Sequence, residues 1–294
     1  MRPLRISAIS FLNTAPLMWD FEHGATPEQH HPERMSPELR RDFEIAYTVP
    51  SRCAAALADG TADIGIIPAI TYATIPDLVI LPDAAIAAKD EVRSILLVSK
   101  TPIEDARTIA TDTSSRSSVA LLQILCRKFW GGHQRLEPMD PDLDSMLRAC
   151  DAALLIGDPA LRIPARQSGF HVYDLAAEWR RFTGKPFVFA FWAARLQALA
   201  EVREDLDVAA VFRNSRDRGL EPKNVAQIAL AWASRTGIGK QEITTYLTRN
   251  IQYHLDPENL EGLQLFYRYA GECGAIATAP SLRFFGMTAC EFVA

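Results

Sequence analysis

The sequence has no cysteine pair at C-x-x-C spacing. Its five cysteines, Cys53, Cys126, Cys150, Cys273 and Cys290, are odd in number and widely scattered. That excludes a disulfide framework and a zinc site of the usual spacing, and it reads as buried thiols in a reducing compartment. Nowhere do eighteen apolar residues run together, and the amino terminus has no apolar stretch with a small-residue cleavage site. The expectation is a cytoplasmic protein with no membrane partner. A basic stripe is also missing: the net charge is -5 with mixed signs, which argues against nucleic acid as a partner. There is no G-x-G-x-x-G, P-loop, G-x-S-x-G or H-E-x-x-H, so nucleotide-binding, serine-hydrolase and zincin readings have no support.

What is present is a strand-to-helix passage at the start, Ile6 to Leu17, in which an apolar run meets Asn13 and Pro16 falls in the first turn of a helix expected over about Thr14–Glu22. Asn13 is placed either to cap that helix or to face the crevice at the carboxyl end of the strand. A polar segment from His23 to Arg41 follows, with three prolines and three histidines and no ligand spacing, and reads as a surface loop rather than a metal site. Strands are expected at Phe43–Val49, Ala62–Ile67, Leu78–Leu81 and Ser94–Ser99, with a helix at Pro50–Ala58 stopped by Gly60. A comparable unit then begins again with a strand at Arg107–Ala110, a polar turn, and an amphipathic helix from Ser115 to Trp130. Asp151 to Ala160 echoes Asp63 to Ala69, each an apolar strand stopping at proline.

This pattern predicts an α/β protein of two lobes, laid out as in type II periplasmic solute-binding proteins. Residues 1–99 with 194–294 form lobe one and residues 100–193 form lobe two. Two crossing strands make a hinge over a central cleft, and the chain after Leu196 is helical. The candidate ligand groups are the hydroxyl-rich helix start Ser114, Ser115, Arg116 and Ser117, suited to a carboxylate, and Gly157-Asp158, where the glycine permits close approach and the acid orients a ligand or caps a helix. Arg93-Ser94 lies at the expected cleft floor. Phe187 stands on an aromatic strand that is either an apolar ligand wall or core. Composition and spacing lead to a two-lobed binder of a small anion.

Five blocks carry a more specific likeness. They are Ser10-Phe11-Leu12-Asn13-Thr14-Ala15-Pro16-Leu17, Val92-Arg93-Ser94, Thr113 to Val119, Ala153 to Leu161, and Trp179 followed by Thr183 to Trp192. In this order the chain resembles the chorismate dehydratase family of the futalosine route to menaquinone. The resemblance implies conversion of chorismate to 3-[(1-carboxyvinyl)oxy]benzoate and water, without metal or organic cofactor, in a protein that is monomeric or homodimeric. It implies Asn13 and Ser94 as catalytic residues; Thr14, Arg93, Ser114, Ser115, Arg116, Ser117, Gly157, Asp158 and Phe187 are the residues expected around the substrate. Asn has no accessible pKa for base chemistry, so Asn13 and Ser94 are expected to orient the substrate and its departing hydroxyl, and a carboxylate of chorismate is the candidate proton acceptor. Two alternatives remain: a non-catalytic solute-binding protein, and the sister enzyme 1,4-dihydroxy-6-naphthoate synthase. The latter carries a Cys-Pro-Asn-Asp type opening where this chain has Leu12 to Pro16.

Overall fold

The computed structural model describes residues 2–23, 35–164 and 169–286. His30, His31 and Cys290 of the readings above lie outside the described residues. The strands in chain order are β1 (Leu4–Ile9), β2 (Phe43–Thr48), β3 (Ile64–Pro68), β4 (Leu78–Ala88), β5 (Ile95–Ser99), β6 (Thr108–Asp112), β7 (Arg135–Met139), β8 (Ala152–Ile156), β9 (His171–Asp174) and β10 (Phe187–Arg195). They form two sheets of five, ordered β2-β1-β3-β10-β4 and β7-β6-β8-β5-β9.

The two orders are the same order. β1 is parallel to β2 and β3 as β6 is to β7 and β8, and one antiparallel strand stands fourth in each sheet, β10 in the first and β5 in the second. Each antiparallel strand follows the other sheet's last strand in the chain, β5 after β4 and β10 after β9 and the helix Leu175–Thr183, so the halves exchange a strand. The echo between Asp63 and Asp151 is part of this repeat. Asp63 accepts the backbone N–H of Arg5 on β1 at 2.9 Å, and Asp151 accepts the N–H groups of Arg107 and Thr108, at the start of β6, at 2.9 and 3.0 Å. In both halves an acid preceding the third strand secures the first.

Sheet membership differs from the boundaries expected at 99 and 193. β5 pairs inside the second sheet and β10 inside the first, because an apolar run marks a strand without marking its neighbours. The crossings are therefore irregular segments, 89–94 and 184–186, rather than strands. Asp174 fixes the first of them by accepting the N–H groups of Val92 and Arg93 at 3.1 and 2.6 Å, and it caps the helix Leu175–Thr183 as well. At the second crossing the Trp179 indole donates to the Pro186 carbonyl at 3.0 Å.

Helices cover the first sheet. The helix Val208–Gly219 approaches the opening passage so closely that a Cβ on Gly219 would lie 2.1 Å from the Pro16 carbonyl oxygen. The helix Pro257–Glu272 packs on β10 in the same manner, with Gly262 against the Pro186 carbonyl. The aromatic face of β10 lies within this core: Phe187 meets Phe266 at 4.8 Å and Trp179 at 5.5 Å between ring centroids. Among the described residues no helix is long and apolar enough to cross a membrane.

Candidate active site

The opening passage does not form the α-helix expected from Thr14. Leu12–Met18 is a 3-10 helix, followed by one α-turn over Trp19–Glu22. Seven residues is long for this helix type, and tertiary bonds hold it: buried Ser215 donates to the Leu17 carbonyl at 2.8 Å and accepts the Asp20 N–H at 3.0 Å. The cap position belongs to Phe11, which makes no side-chain cap. Asn13 is thus not the cap. Its Oδ1 is buried without a hydrogen-bond partner, a cost on the order of 1–3 kcal/mol that a ligand donor would relieve. Thr14 is committed to its own backbone, its hydroxyl lying 2.5 Å from the Ile9 and 2.7 Å from the Phe11 carbonyl oxygen.

Ser94 reaches the same place from the first crossing. Arg93 before it has φ +63°, a left-handed conformation that a non-glycine residue adopts only under tertiary constraint. The two Asp174 bonds supply that constraint. The Arg93 side chain is not among those lining the cavity that holds Asn13 and donates to the Ile163 carbonyl at 3.3 Å. Its backbone sets the direction of Ser94, which is 1 % exposed. The Ser94 hydroxyl accepts a hydrogen bond from the Tyr246 phenol at 2.9 Å. Sequence reasoning gave no signal for Tyr246, which lies in the helical region beyond the quoted motifs.

The second sheet supplies the hydroxyl-rich turn after β6. Ser114 is bound to Asp112 through its N–H at 2.8 Å and its hydroxyl at 2.6 Å. Arg116 is exposed and occupies the cap position without capping. Ser115, Ser117 and Ser118 are buried and line the cavity with Asn13 and Ser94. Ser117 and Ser118 open the helix Ser117–Phe129, whose first-turn N–H groups have no acceptor within the helix. The Ser117 hydroxyl also accepts the N–H of Ile70 from the first sheet's side at 3.2 Å.

After β8, Gly157 takes φ +65°, and a Cβ there would stand 3.0 Å from the Phe11 ring. The close approach anticipated for a ligand is made by Phe11. Asp158 does not cap its own helix; it accepts the N–H of Leu12 at 3.1 Å. Burial raises its pKa against the effect of that bond. Phe187 faces the aromatic core, whereas Phe189 lines the cavity. The register between β10 and β4 slips between Val188 and Ala190, and a bulge there re-aims the intervening side chain.

These residues enclose a cavity of ≈ 60 Å³ between the sheets, bounded by Phe11, Asn13, Ser94, Ser115, Ser117 and Gly157 among others. Binding pockets for small organic molecules span roughly 300–1,000 Å³, so the cavity as it stands is smaller than such a pocket. A second cavity of ≈ 350 Å³ lies on the first sheet's side, lined by Ser10, Phe11, Glu22, Tyr47, Trp232 and Arg235 among others. Phe11 borders both.

Two sheets of order 2-1-3-n-4, with the polar ends of β1, β6 and β8 and the first crossing converging between them, define a two-lobed α/β protein of periplasmic-binding-protein type. Solved structures share the fold: a protein from Archaeoglobus fulgidus has a TM-score of 0.68 at 17% identity, covering 93% of this chain and 98% of that one. The periplasmic aliphatic sulphonate binding protein SsuA of Escherichia coli has a TM-score of 0.61 at 16% identity, covering 98% and 95%. The chain belongs to the menaquinone biosynthesis family, whose model matches residues 4–272. It is 29% identical over 287 residues to the chorismate dehydratase of Thermus thermophilus, covering 92% of this chain and 96% of that protein.

Proposed function

We propose that this protein dehydrates chorismate to 3-[(1-carboxyvinyl)oxy]benzoate in menaquinone biosynthesis by the futalosine route, in the cytoplasm. The observation that carries the reading is the pair formed by Asn13 and Ser94, one with a buried acceptor atom lacking a partner and the other a buried hydroxyl, lining one cavity between the lobes. Chorismate carries one hydroxyl, two carboxylates and an ether. Of these only the hydroxyl can donate, so Asn13 Oδ1 pairs with the hydroxyl that departs.

The reaction breaks the C–H bond at the ring carbon bearing the enolpyruvyl ether. Its electron pair forms a ring double bond as the neighbouring C–O bond breaks, and hydroxide leaves with the proton as water. The ring becomes aromatic, so the step is strongly downhill and the protein need only align the groups. The ring carboxylate, into which charge spreads through the conjugated double bonds, is held by Ser115, Ser117, Ser118 and the first-turn N–H groups of the Ser117 helix, a site suited to anions. Neither Asp, Glu nor His is among the cavity-lining residues; a carboxylate of chorismate takes the proton from the ring carbon and passes it to the leaving hydroxide, which departs as water. The lobes that open and close are the ones built on the first and on the second sheet, divided at the crossings 89–94 and 184–186. Arg93, Gly157 and Asp158 act through the backbone and the closed arrangement, and Thr14 through the shape of its turn.

Purified protein incubated with chorismate and followed for an aromatic enol-ether product tests the reading. Product formation supports it. Tight binding with no product favours a solute-binding protein instead.

A further inference from the structure

Tyr246 stands where two helix types meet. The α-helix Lys240–Thr245 continues into a π-helical turn, Tyr246–Asn250. Such turns are rare and concentrate at functional sites, because the extra residue displaces a side chain from its regular course. The turn is anchored to the crossing beside Ser94, with the Asn250 amide donating to the Glu91 carbonyl at 3.0 Å and Gln252 bridging to Ala87 of β4. The phenol is 2 % exposed. Burial raises its pKa, while the Ser94 hydroxyl and the Asn13 side chain both draw it down by hydrogen bonding, and Asp158 and Asp174 push it up.

Asn13 lines the same cavity as Ser94, and its Oδ1 has no partner. The phenol has one proton, which goes to Ser94. With its oxygen accepting from Tyr246, the Ser94 hydroxyl directs its own proton elsewhere.

We propose that Tyr246 is a positioning residue for the dehydration: by donating to Ser94 it turns the Ser94 O–H toward the substrate's departing hydroxyl, beside the unpartnered Asn13 Oδ1. Ser94 then donates to that oxygen as its C–O bond breaks, and Asn13 accepts its hydrogen. The inference rests on the chorismate reading, and it gives a role to a buried tyrosine that is not among the cavity-lining residues but donates to one that is.

The test is Tyr246→Phe, which keeps the ring and removes the phenol oxygen. The product, 3-[(1-carboxyvinyl)oxy]benzoate, lacks the departing hydroxyl, so its affinity reports the site without the contact at issue. The expected result is a fall in kcat on chorismate of about tenfold, the scale of one lost hydrogen bond. Product inhibition should stay within about twofold and the unfolding midpoint should hold. An unchanged kcat overturns the proposal, and so does a product affinity or unfolding midpoint that falls in step with kcat, which indicates a structural role. Absence of product from the wild-type protein overturns the chorismate reading itself and is seen before any variant is made.

Discussion

Asp158, at the end of β8, accepts the backbone N–H of Leu12, at the end of β1, at 3.1 Å. Leu12 directly precedes Asn13, so the bond joins the lobes at the residue assigned to the substrate hydroxyl. Removing it in Asp158→Ala weakens the closed arrangement without touching the cavity lining. Hydrogen bonds to charged groups contribute about 1.5–3 kcal/mol, partly offset here by the cost of burying the carboxylate. The expected outcome is a KM for chorismate raised about tenfold with kcat reduced less, measured by steady-state kinetics.

Gly157 and Phe11 occupy one another's space across the cleft. Gly157→Ala places a methyl group 3.0 Å from the ring at a backbone conformation unfavourable to alanine. Turnover should fall, and adding Phe11→Ala should restore part of it by removing the collision while leaving the backbone strain. Comparing kcat/KM for the single and double variants checks this, and equal values would mean that the two residues do not meet during catalysis.

The repeat was legible in the sequence to the extent that chemistry repeats: Asp63 and Asp151, each followed by an apolar strand, mark the same place in each sheet. Strand exchange was not legible, because β5 and β10 are buried along nearly their whole length, and such runs carry no alternation to say which sheet they enter. At the site, Asn13 and Ser94 stood in local motifs. Phe189 packs against Phe187 at 4.6 Å between ring centroids, and alternation alone does not say which of two neighbouring aromatic rings borders the cavity; Tyr246 was hidden by a π-turn that periodicity of 3.6 residues does not reveal.

Asp63 is 2 % exposed at its side chain and pairs with Arg2 and Arg5. The bonds from these arginines, outweighing the opposing effect of burial, hold its pKa far below the ordinary carboxylate value, which is about 3.9. A depressed folded-state pKa contributes stability that is present above the unfolded value and is lost as pH falls toward the folded one. Asp63→Asn should therefore lower stability at neutral pH by about 2 kcal/mol. The difference from wild type should shrink as the pH is taken below about 4, read from denaturant unfolding at several pH values.

Gly219→Ala tests the support of the opening passage. A Cβ there would meet the Pro16 backbone at 2.1 Å, and backbone cannot yield as a side-chain tip does. The expected loss is about 1–3 kcal/mol, in line with overpacked cores, measured by denaturant unfolding. A chorismate turnover rate that falls further than the folded fraction would show that displacement of the 3-10 helix carries Asn13 with it.

The central claim is that Asn13 Oδ1 receives the hydroxyl that chorismate loses, and the single-turnover rate of Asn13→Ala on chorismate tests it most directly. Removing one preorganised hydrogen-bonding group from a reacting centre costs about a hundredfold or more. The account predicts a loss of that size in a protein that still folds and still binds the hydroxyl-free product. An Asn13→Ala variant that forms product at the wild-type rate would contradict it.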